Sequence, residues 1–509
     1  MNAHNSTVDA DIFHRSLFPF STLIIGVSLI GYLVLIWWWD YPPLIDWPNH
    51  MARHYIEGLA ISGQAPPAGY ELKYVLMPNL GGDLVVPLLL QVFNLVTASK
   101  IFLSLSLLIY WAGASCFFAA QTGERRSAIA VAALYLPFLI SSSFLWGFLN
   151  YYSSVGLAFL AMANYIRLYE RPRAGIGQLV LQAAFICLLY LWHLAGFGIY
   201  AVLHASHLLW HIVQAKRAGA STHHILQRFM PFAALVIPAL LIAVLVKLGG
   251  EGEALSGGIE WVGLVRKSRN FFSFFSSYGG ILDLAVLALW VCALVAMLTI
   301  DRARLFRLTW LHLATILFLA AFLALPFTLG TTSGVDIRML PPLWVCSLGL
   351  LVALPARSLN LGFGFLLLAV TLRLTSIGLA WSDLGALTQD HLRFISTIEP
   401  KSRILSVALG EATRFVPESH VVAWAVPERQ AFVSSLFSMR GQQPLRLSSD
   451  FNDVILRLQK AQTGEIDLAK VGNKFDYFWL FNSGDGKVVI PVSWLLVYKR
   501  GAITVWRIR

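Results

Sequence analysis

Five ionisable side chains crowd one short stretch, DYPPLIDWPNHMARHYIEGL (residues 40–59): Asp46, His50, Arg53, His54 and Glu57, with Asp40 just ahead of them. The stretch follows directly on an apolar run that ends in Trp37, Trp38 and Trp39. Charge at a lipid boundary is expensive, and where it persists it tends to be functional. Beyond Asp46 the spacing predicts a helix. Trp47, Met51, Tyr55 and Leu59 form one stripe, with Ala52, Ile56 and Ala60 beside it, and His50, Arg53, His54 and Glu57 fall on the other side. This is the pattern of an amphipathic helix lying in the membrane interface. Asp46 fits the N-cap, with Pro48 in the first turn. A carboxylate there is held rigidly and kept ionised by the helix dipole. It can cap the helix, take part in chemistry, or do both.

A second acid, Asp83, stands in YVLMPNLGGDLVVPLLLQVF (74–93). GGD before an apolar run is a helix-start signature, so this acid too could be a cap. The apolar segment is short, which predicts a second interfacial or re-entrant element.

The elements that must position these residues belong to a membrane protein. The chain has 509 residues, 57% hydrophobic and 13% charged, whereas soluble domains carry about a quarter charged residues. Apolar runs recur from 20 to 381, each close to the roughly 20 residues that cross a bilayer. The first, FSTLIIGVSLIGYLVLIWWW, is too long for a signal-peptide core and lacks a small-residue cleavage site. It reads as a retained span with its tryptophans in the aromatic belt. About eleven spans are expected, near 20–39, 100–120, 128–146, 152–168, 177–193, 196–213, 230–247, 281–300, 308–329, 341–356 and 360–380.

The short loops TGERRS (122–127), RLYERPR (167–173), QAKRAG (214–219) and DRARLFR (301–307) are rich in Arg and Lys, which puts them and the N-terminus in the cytoplasm. The alternate set then lies outside: 40–99, the tips WGFLNYY (146–152) and His193, 248–280 and TTSGVDIRML (331–340). The net charge of +11 follows from this placement. No basic, aromatic-studded soluble face points to nucleic acid. Cys116, Cys187, Cys292 and Cys346 all fall in apolar runs without CxxC pairing, as buried small hydrophobes do.

Composition changes at 382. SRILSVAL, VVAWAV, KFDYFWLF and SWLLVYKRGAITVWRI read as strands, the last as a hairpin turning near Arg500-Gly501, and 384–398 and 450–462 read as helices. The expected fold class is an all-α polytopic core over 1–381, carrying the outer loop 40–99, with a small α/β extracytoplasmic domain at 382–509.

One span, then a large outer loop with two interfacial helices and an acid just after the span, then a multispan core and a soluble outer domain: this arrangement resembles the GT-C superfamily of polyprenyl-phosphate-sugar-dependent glycosyltransferases. The motif-level resemblance rests on DWPNHMARHYI and GGD, and Trp47 follows the acid where many members carry a second acid. GFLNYYSSVGLAFL and WHLAGFG look like segments of related bacterial multispan proteins. The resemblance implies a multi-pass inner-membrane enzyme that moves a sugar from a lipid-linked phosphate donor to an acceptor hydroxyl, on a lipid or glycan, outside the cytoplasm. Its partners would be that donor, that acceptor and membrane lipids. Such transfer needs a carboxylate to accept the acceptor's proton and cations to stabilise the departing phosphate. By resemblance Asp46 is the candidate base, with Asp83 and Asp40 behind it, and His50 would orient it or contact substrate.

Candidate phosphate ligands are Arg53, Lys73, Arg266, Lys267, Arg269 and Arg338. Asn150 and His193 on other outer tips could complete a polar pocket. Each has a plainer alternative: Arg338 as the surface partner of Asp336, the 266–269 cluster as a lipid contact, and the tip residues as solvated groups. Some GT-C enzymes use a divalent ion, Mg2+ or Mn2+, which Asp40, Asp46 and Asp83 could hold.

Two other readings compete. A flippase or transporter for a lipid-linked saccharide carries ionisable residues within its spans and often repeats its architecture, whereas here Arg373 is an exception and no halves repeat. A non-catalytic envelope-polysaccharide assembly protein would tolerate loss of the outer acids. No Gly-rich nucleotide loop and no His or Cys cluster of zinc-site spacing is present in the sequence.

Overall fold

The computed structural model describes residues 22–171, 174–248, 258–278, 280–299, 305–330, 332–355, 361–409, 416–451, 468, 474–482 and 488–508. These fall into two compact units. The first runs to Ile36 and includes Ser104–Ser143 and Leu149–Ile377; the second joins Trp37–Leu103, Phe144–Phe148 and Gly378–Arg509.

The described residues begin with helix α1 (Thr22–Trp38), followed by α2 (Trp47–Ile61), α3 (Gly81–Leu89) and α4 (Leu95–Gln121). Among the described residues, five helices are long and apolar enough to cross a membrane: α4, Leu194–Arg217, Thr222–Leu248, Ile281–Leu298 and Phe363–Ile395. Shorter apolar helices are α1, Ile176–Trp192, Trp310–Ala324 and Ile337–Ala353, and Leu149–Tyr169 lies between. The chain is a multi-pass membrane protein.

Three expected elements differ. The span at 128–146 is broken into Arg125–Leu134, a 3-10 turn at Leu136–Phe138 and Ser142–Leu145. Pro137 cannot donate a helical hydrogen bond, and serines follow at 141–143. The span at 308–329 ends at Ala324, one residue short of Leu325, which Pro326 disfavours from helical backbone. The last span continues without a break to Ile395, 33 residues in all, and absorbs the separate helix expected at 384–398.

Within the first unit, α4 and the helix Leu149–Tyr169 meet at glycines. A Cβ on Gly113 would lie 2.0 Å from the carbonyl oxygen of Gly156, so only small residues permit this approach of backbones. Arg373, the charge expected within a span, is buried and paired with Asp283. It also donates to the carbonyls of Pro137 (3.0 Å) and Phe275 (2.5 Å), while Asp283 accepts from the Ser277 backbone (3.0 Å) and hydroxyl (2.8 Å). A buried ion pair persists when its remaining polar atoms are bonded in this way. Arg373 is a structural pin, which removes the in-span charge that favoured a transporter.

The second unit is built on a five-stranded mixed sheet, in the order Phe432–Val433, Arg403–Leu409, Tyr477–Asn482, Ile503–Arg507, Leu495–Arg500. The first three strands run parallel and the last two form an antiparallel hairpin that turns at Gly501, whose φ of 55° suits glycine. The strands expected within 402–409, 474–481 and 493–508 are all present. VVAWAV is not a strand. It lies in the 3-10 helix Pro417–Trp424 and the helical turn Ala425–Arg429. Val421 to Val426 are buried throughout, with no exposed alternate face, and Trp424 packs edge-on to Tyr41 and Trp47. Tertiary packing here overrides the β preference of valine. The helix expected at 450–462 lies, beyond Phe451, outside the described residues.

The loop over 40–99 is part of this same unit. Its strand Tyr70–Leu72 pairs antiparallel with Leu445–Leu447. The Tyr70 hydroxyl donates to the carbonyl of Val433 (3.0 Å) and accepts from its N–H (2.7 Å).

Candidate active site

The start of α2 is fixed by backbone. The amides of Ile45 and Asp46 donate to the carbonyls of Leu145 (3.1 Å) and Trp146 (3.0 Å). Gly147 follows with φ 81°, and a Cβ there would press within 3.0 Å of the Asp46 and Trp47 nitrogens. Asp46 occupies the N-cap position, but its backbone is helical and its side chain makes no capping hydrogen bond. The carboxylate turns instead to His420, with Oδ1 3.5 Å from Nε2. His420 sits on the 3-10 helix Pro417–Trp424, and Phe437 packs edge-on against both His420 and His50. Burial lowers the His420 imidazole to about 4, so it is neutral at physiological pH. The Asp46 side chain keeps 14% exposure, enough to be reached from outside.

The polar face of α2 continues inward. The Arg53 Nε donates to Asp83 Oδ1 at 2.6 Å and Nη2 to Oδ2 at 3.3 Å, a bidentate pair, and Nη2 also lies 3.2 Å from His50 Nδ1. Burial, the largest single effect, would raise the Asp83 carboxyl, but the charge and hydrogen bond of Arg53 together with His54 and Glu57 hold the group well below the usual carboxylate range. Burial likewise works against the charge on Arg53, and Asp83 together with Glu57 more than restores it. Burial, then Arg53, pushes His50 well below its ordinary value. Burial lowers His54 to about 3. Glu57 is raised, by burial first and then by Asp83.

The helix therefore does not present its polar face to water as the amphipathic pattern predicts. Arg53, His54 and Glu57 are all buried, and α3 and the 3-10 helix Pro417–Trp424 pack on α2. Arg53 is held there by its bonds to Asp83 and His50, with Glu57 and His54 at 3.9 Å from this pair. Asp83 is not a cap either: Leu80 holds that position, and Asp83 lies in the first turn, its carboxylate taken by Arg53. Asp40 is exposed. Lys73 is exposed, just after the strand Tyr70–Leu72, its amide bonded to the Pro444 carbonyl (2.8 Å). Among the described residues, one group of three or more metal-ligating side chains converges, His54, Glu57 and Asp83, with ligand atoms within 4.8 Å of one another. Asp40 and Asp46 are not in it.

In the first unit the expected phosphate ligands separate. Lys267 is buried and donates to the carbonyls of Phe322 (2.8 Å) and Leu325 (2.6 Å) and to Asp336 Oδ2 (2.8 Å). Its charge has a structural use, and Asp336 pairs with it. Arg266 bonds Glu260 (2.8 Å) and lies over the Phe327 ring, and Arg269 is exposed. Arg338 lies over the ring of Tyr151, whose hydroxyl donates to the Arg338 carbonyl, and His193 meets the same ring edge-on. Arg338 and His193 thus share Tyr151, and Asn150 precedes it on the helix Leu149–Tyr169. His193 also accepts the Ala195 amide (3.1 Å) as an N-cap.

The residue that sequence reasoning missed is His420. The only signal was a histidine beside an apolar run, PESHVVAW, which resembles a strand.

No protein-family profile matches the chain, and no curated protein sequence matches it. Among solved structures, the chain is similar to ArnT from Cupriavidus metallidurans, in the apo state and bound to undecaprenyl phosphate. Each match has a TM-score of 0.55 and 13% identity over 96% of this chain and 98% of that one. With its multi-pass helices and its sheet-bearing second unit, the chain has the fold of ArnT.

Proposed function

We propose that this chain is a glycosyltransferase that takes a sugar from a polyprenyl-phosphate donor and attaches it to an acceptor hydroxyl at the outer face of the inner membrane, with the second unit outside. The observation that carries the proposal is Asp46: an acid locked at the start of α2, not used as a cap, partly exposed and facing a neutral imidazole. A carboxylate so held can accept the proton that leaves the attacking hydroxyl. His420 orients it, and His50 and the Arg53–Asp83 pair set the charge behind it. The departing phosphate needs a cation, and Arg338 is our choice. Support for the donor class comes from the shared fold, since one ArnT structure holds undecaprenyl phosphate.

The test offers the purified protein a panel of undecaprenyl-phosphate hexoses with a membrane-lipid acceptor extract and follows label transfer. Asp46→Asn should abolish transfer while undecaprenyl phosphate still binds, because asparagine cannot take the proton. Full turnover by this variant removes Asp46 from the site. Failure of the wild type to bind undecaprenyl phosphate removes the donor class.

A further inference from the structure

Behind the candidate base, α2 and α3 enclose polar atoms that the protein leaves unmatched. Both ring nitrogens of His54, both carboxyl oxygens of Glu57 and both amide atoms of Asn49 are buried without a hydrogen-bond partner. Buried polar groups are bonded as a rule, and each exception needs a cause, an ion among them. His54 and Glu57 are three residues apart on one face of α2, and Asp83 reaches them from the first turn of α3. Their ligand atoms lie within 4.8 Å of one another, His54 Nε2 standing 3.9 Å from Asp83 Oδ1.

We propose that His54, Glu57 and Asp83 bind a divalent transition-metal ion, Zn2+ or Mn2+. The donor set is one imidazole and two carboxylates. Imidazole suits Zn2+, carboxylate suits Mn2+, and Mg2+ prefers an all-oxygen shell. Ligand atoms around a tetrahedral zinc stand about 3.3 Å apart, given metal–ligand bonds of about 2.0–2.1 Å. Closing onto the ion therefore needs only side-chain adjustment.

Arg53 does not block the site. Each Asp83 oxygen accepts one bond from it, and a carboxylate offers about four lone-pair positions in all. The guanidinium instead orients the ligating carboxylate from behind, as outer partners of metal ligands commonly do. A proton shared between the carboxyls of Glu57 and Asp83 would account for those two groups alone and would leave the His54 nitrogens unmatched. A metal matches all three residues at once. The proposal stands apart from glycosyl transfer, and its test reads metal, not turnover.

The full chain, purified on a tag without histidine and stripped with EDTA, is titrated with Zn2+ and separately with Mn2+, and metal content is measured after dialysis. One equivalent per chain is expected from at least one of the two ions, with a melting temperature that rises on loading. Co2+ substitution should give visible d–d absorption. Glu57→Gln and His54→Ala should each weaken binding at least tenfold, and His54→Ala should shift the Co2+ spectrum. Should either variant fail to fold, His54→Gln, which leaves the Arg53–Asp83 pair intact, is measured in its place. Absence of bound metal in the stripped and reloaded wild type overturns the site. So does unchanged affinity in folded variants, which would leave only protons or water among these groups.

Discussion

Asp46 Oδ1 faces His420 Nε2 across 3.5 Å, and neither group is spent on holding a helix end. A capping aspartate contributes about 1 kcal/mol, which its alanine variant loses. Here the capping bond is missing, so Asp46→Ala should change the melting temperature by less than a capping loss would, while removing sugar transfer. Thermal melts of the two proteins in the same detergent check this. A drop equivalent to a full cap would return Asp46 to a structural role.

His420 should make stability fall in acid. Burial holds its folded value at about 4, below the ordinary 6.5. Between these values the unfolded chain binds the proton that the folded chain refuses, so stability rises with pH across this window. The contribution is complete above about 6.5 and is lost as pH falls towards 4. Asp46 and His50 face the ring; the carboxylate offsets part of the effect and a second imidazole does not. Melts from pH 7 to 4.5 should show a shallower decline in His420→Asn than in the wild type.

Arg53 and Asp83 should depend on each other. Removing one partner of a buried pair leaves an uncompensated charge and costs about 3–5 kcal/mol. Arg53→Met alone should be strongly destabilising, and Arg53→Met with Asp83→Leu should recover most of that loss. Denaturation of the two single variants and the double variant measures the coupling, and simple additivity would show that the pair is not a unit.

Lys267 and Arg338 should separate stability from donor binding. Lys267→Met leaves Asp336 and two carbonyls unmatched in the interior, and should cost about 3 kcal/mol or more of stability. Arg338→Gln should leave the protein folded and weaken undecaprenyl-phosphate binding at least tenfold. Equal donor affinity in Arg338→Gln and wild type would exclude this arginine as the phosphate ligand.

The topology can be read with single cysteines. The basic loop at 122–127 should be cytoplasmic and the sheet-bearing unit outside. Gly123→Cys and Val492→Cys, both at exposed positions, should react with an impermeant maleimide from opposite faces of the membrane, on a background without the four native cysteines. Labelling from one face would overturn the orientation.

The sequence by itself determined what depends on local pattern. Long apolar runs have no stable fate except burial in lipid or protein, so the multi-pass class followed from composition. The short apolar run SRILSVAL, with its β-branched residues, and the Gly501 hairpin specified strands through β propensity and turn chemistry. Asp46 and Pro48 marked the start of α2. Tertiary structure decided what depends on partners distant in sequence. VVAWAV has strand composition but packs as a 3-10 helix, because Trp424 fits between Tyr41 and Trp47. The charges of α2 follow a helical period that suggests a wet face, yet α3 supplies Asp83 and turns that face into a buried network. Lys267 and Arg338 read alike in the sequence as candidate phosphate ligands, and only the fold shows Lys267 buried against Asp336. His420 meets Asp46 because the first loop and the C-terminal sheet fold as one unit. Periodicity reports which face of an element a residue occupies, and the partner on that face is chosen by packing.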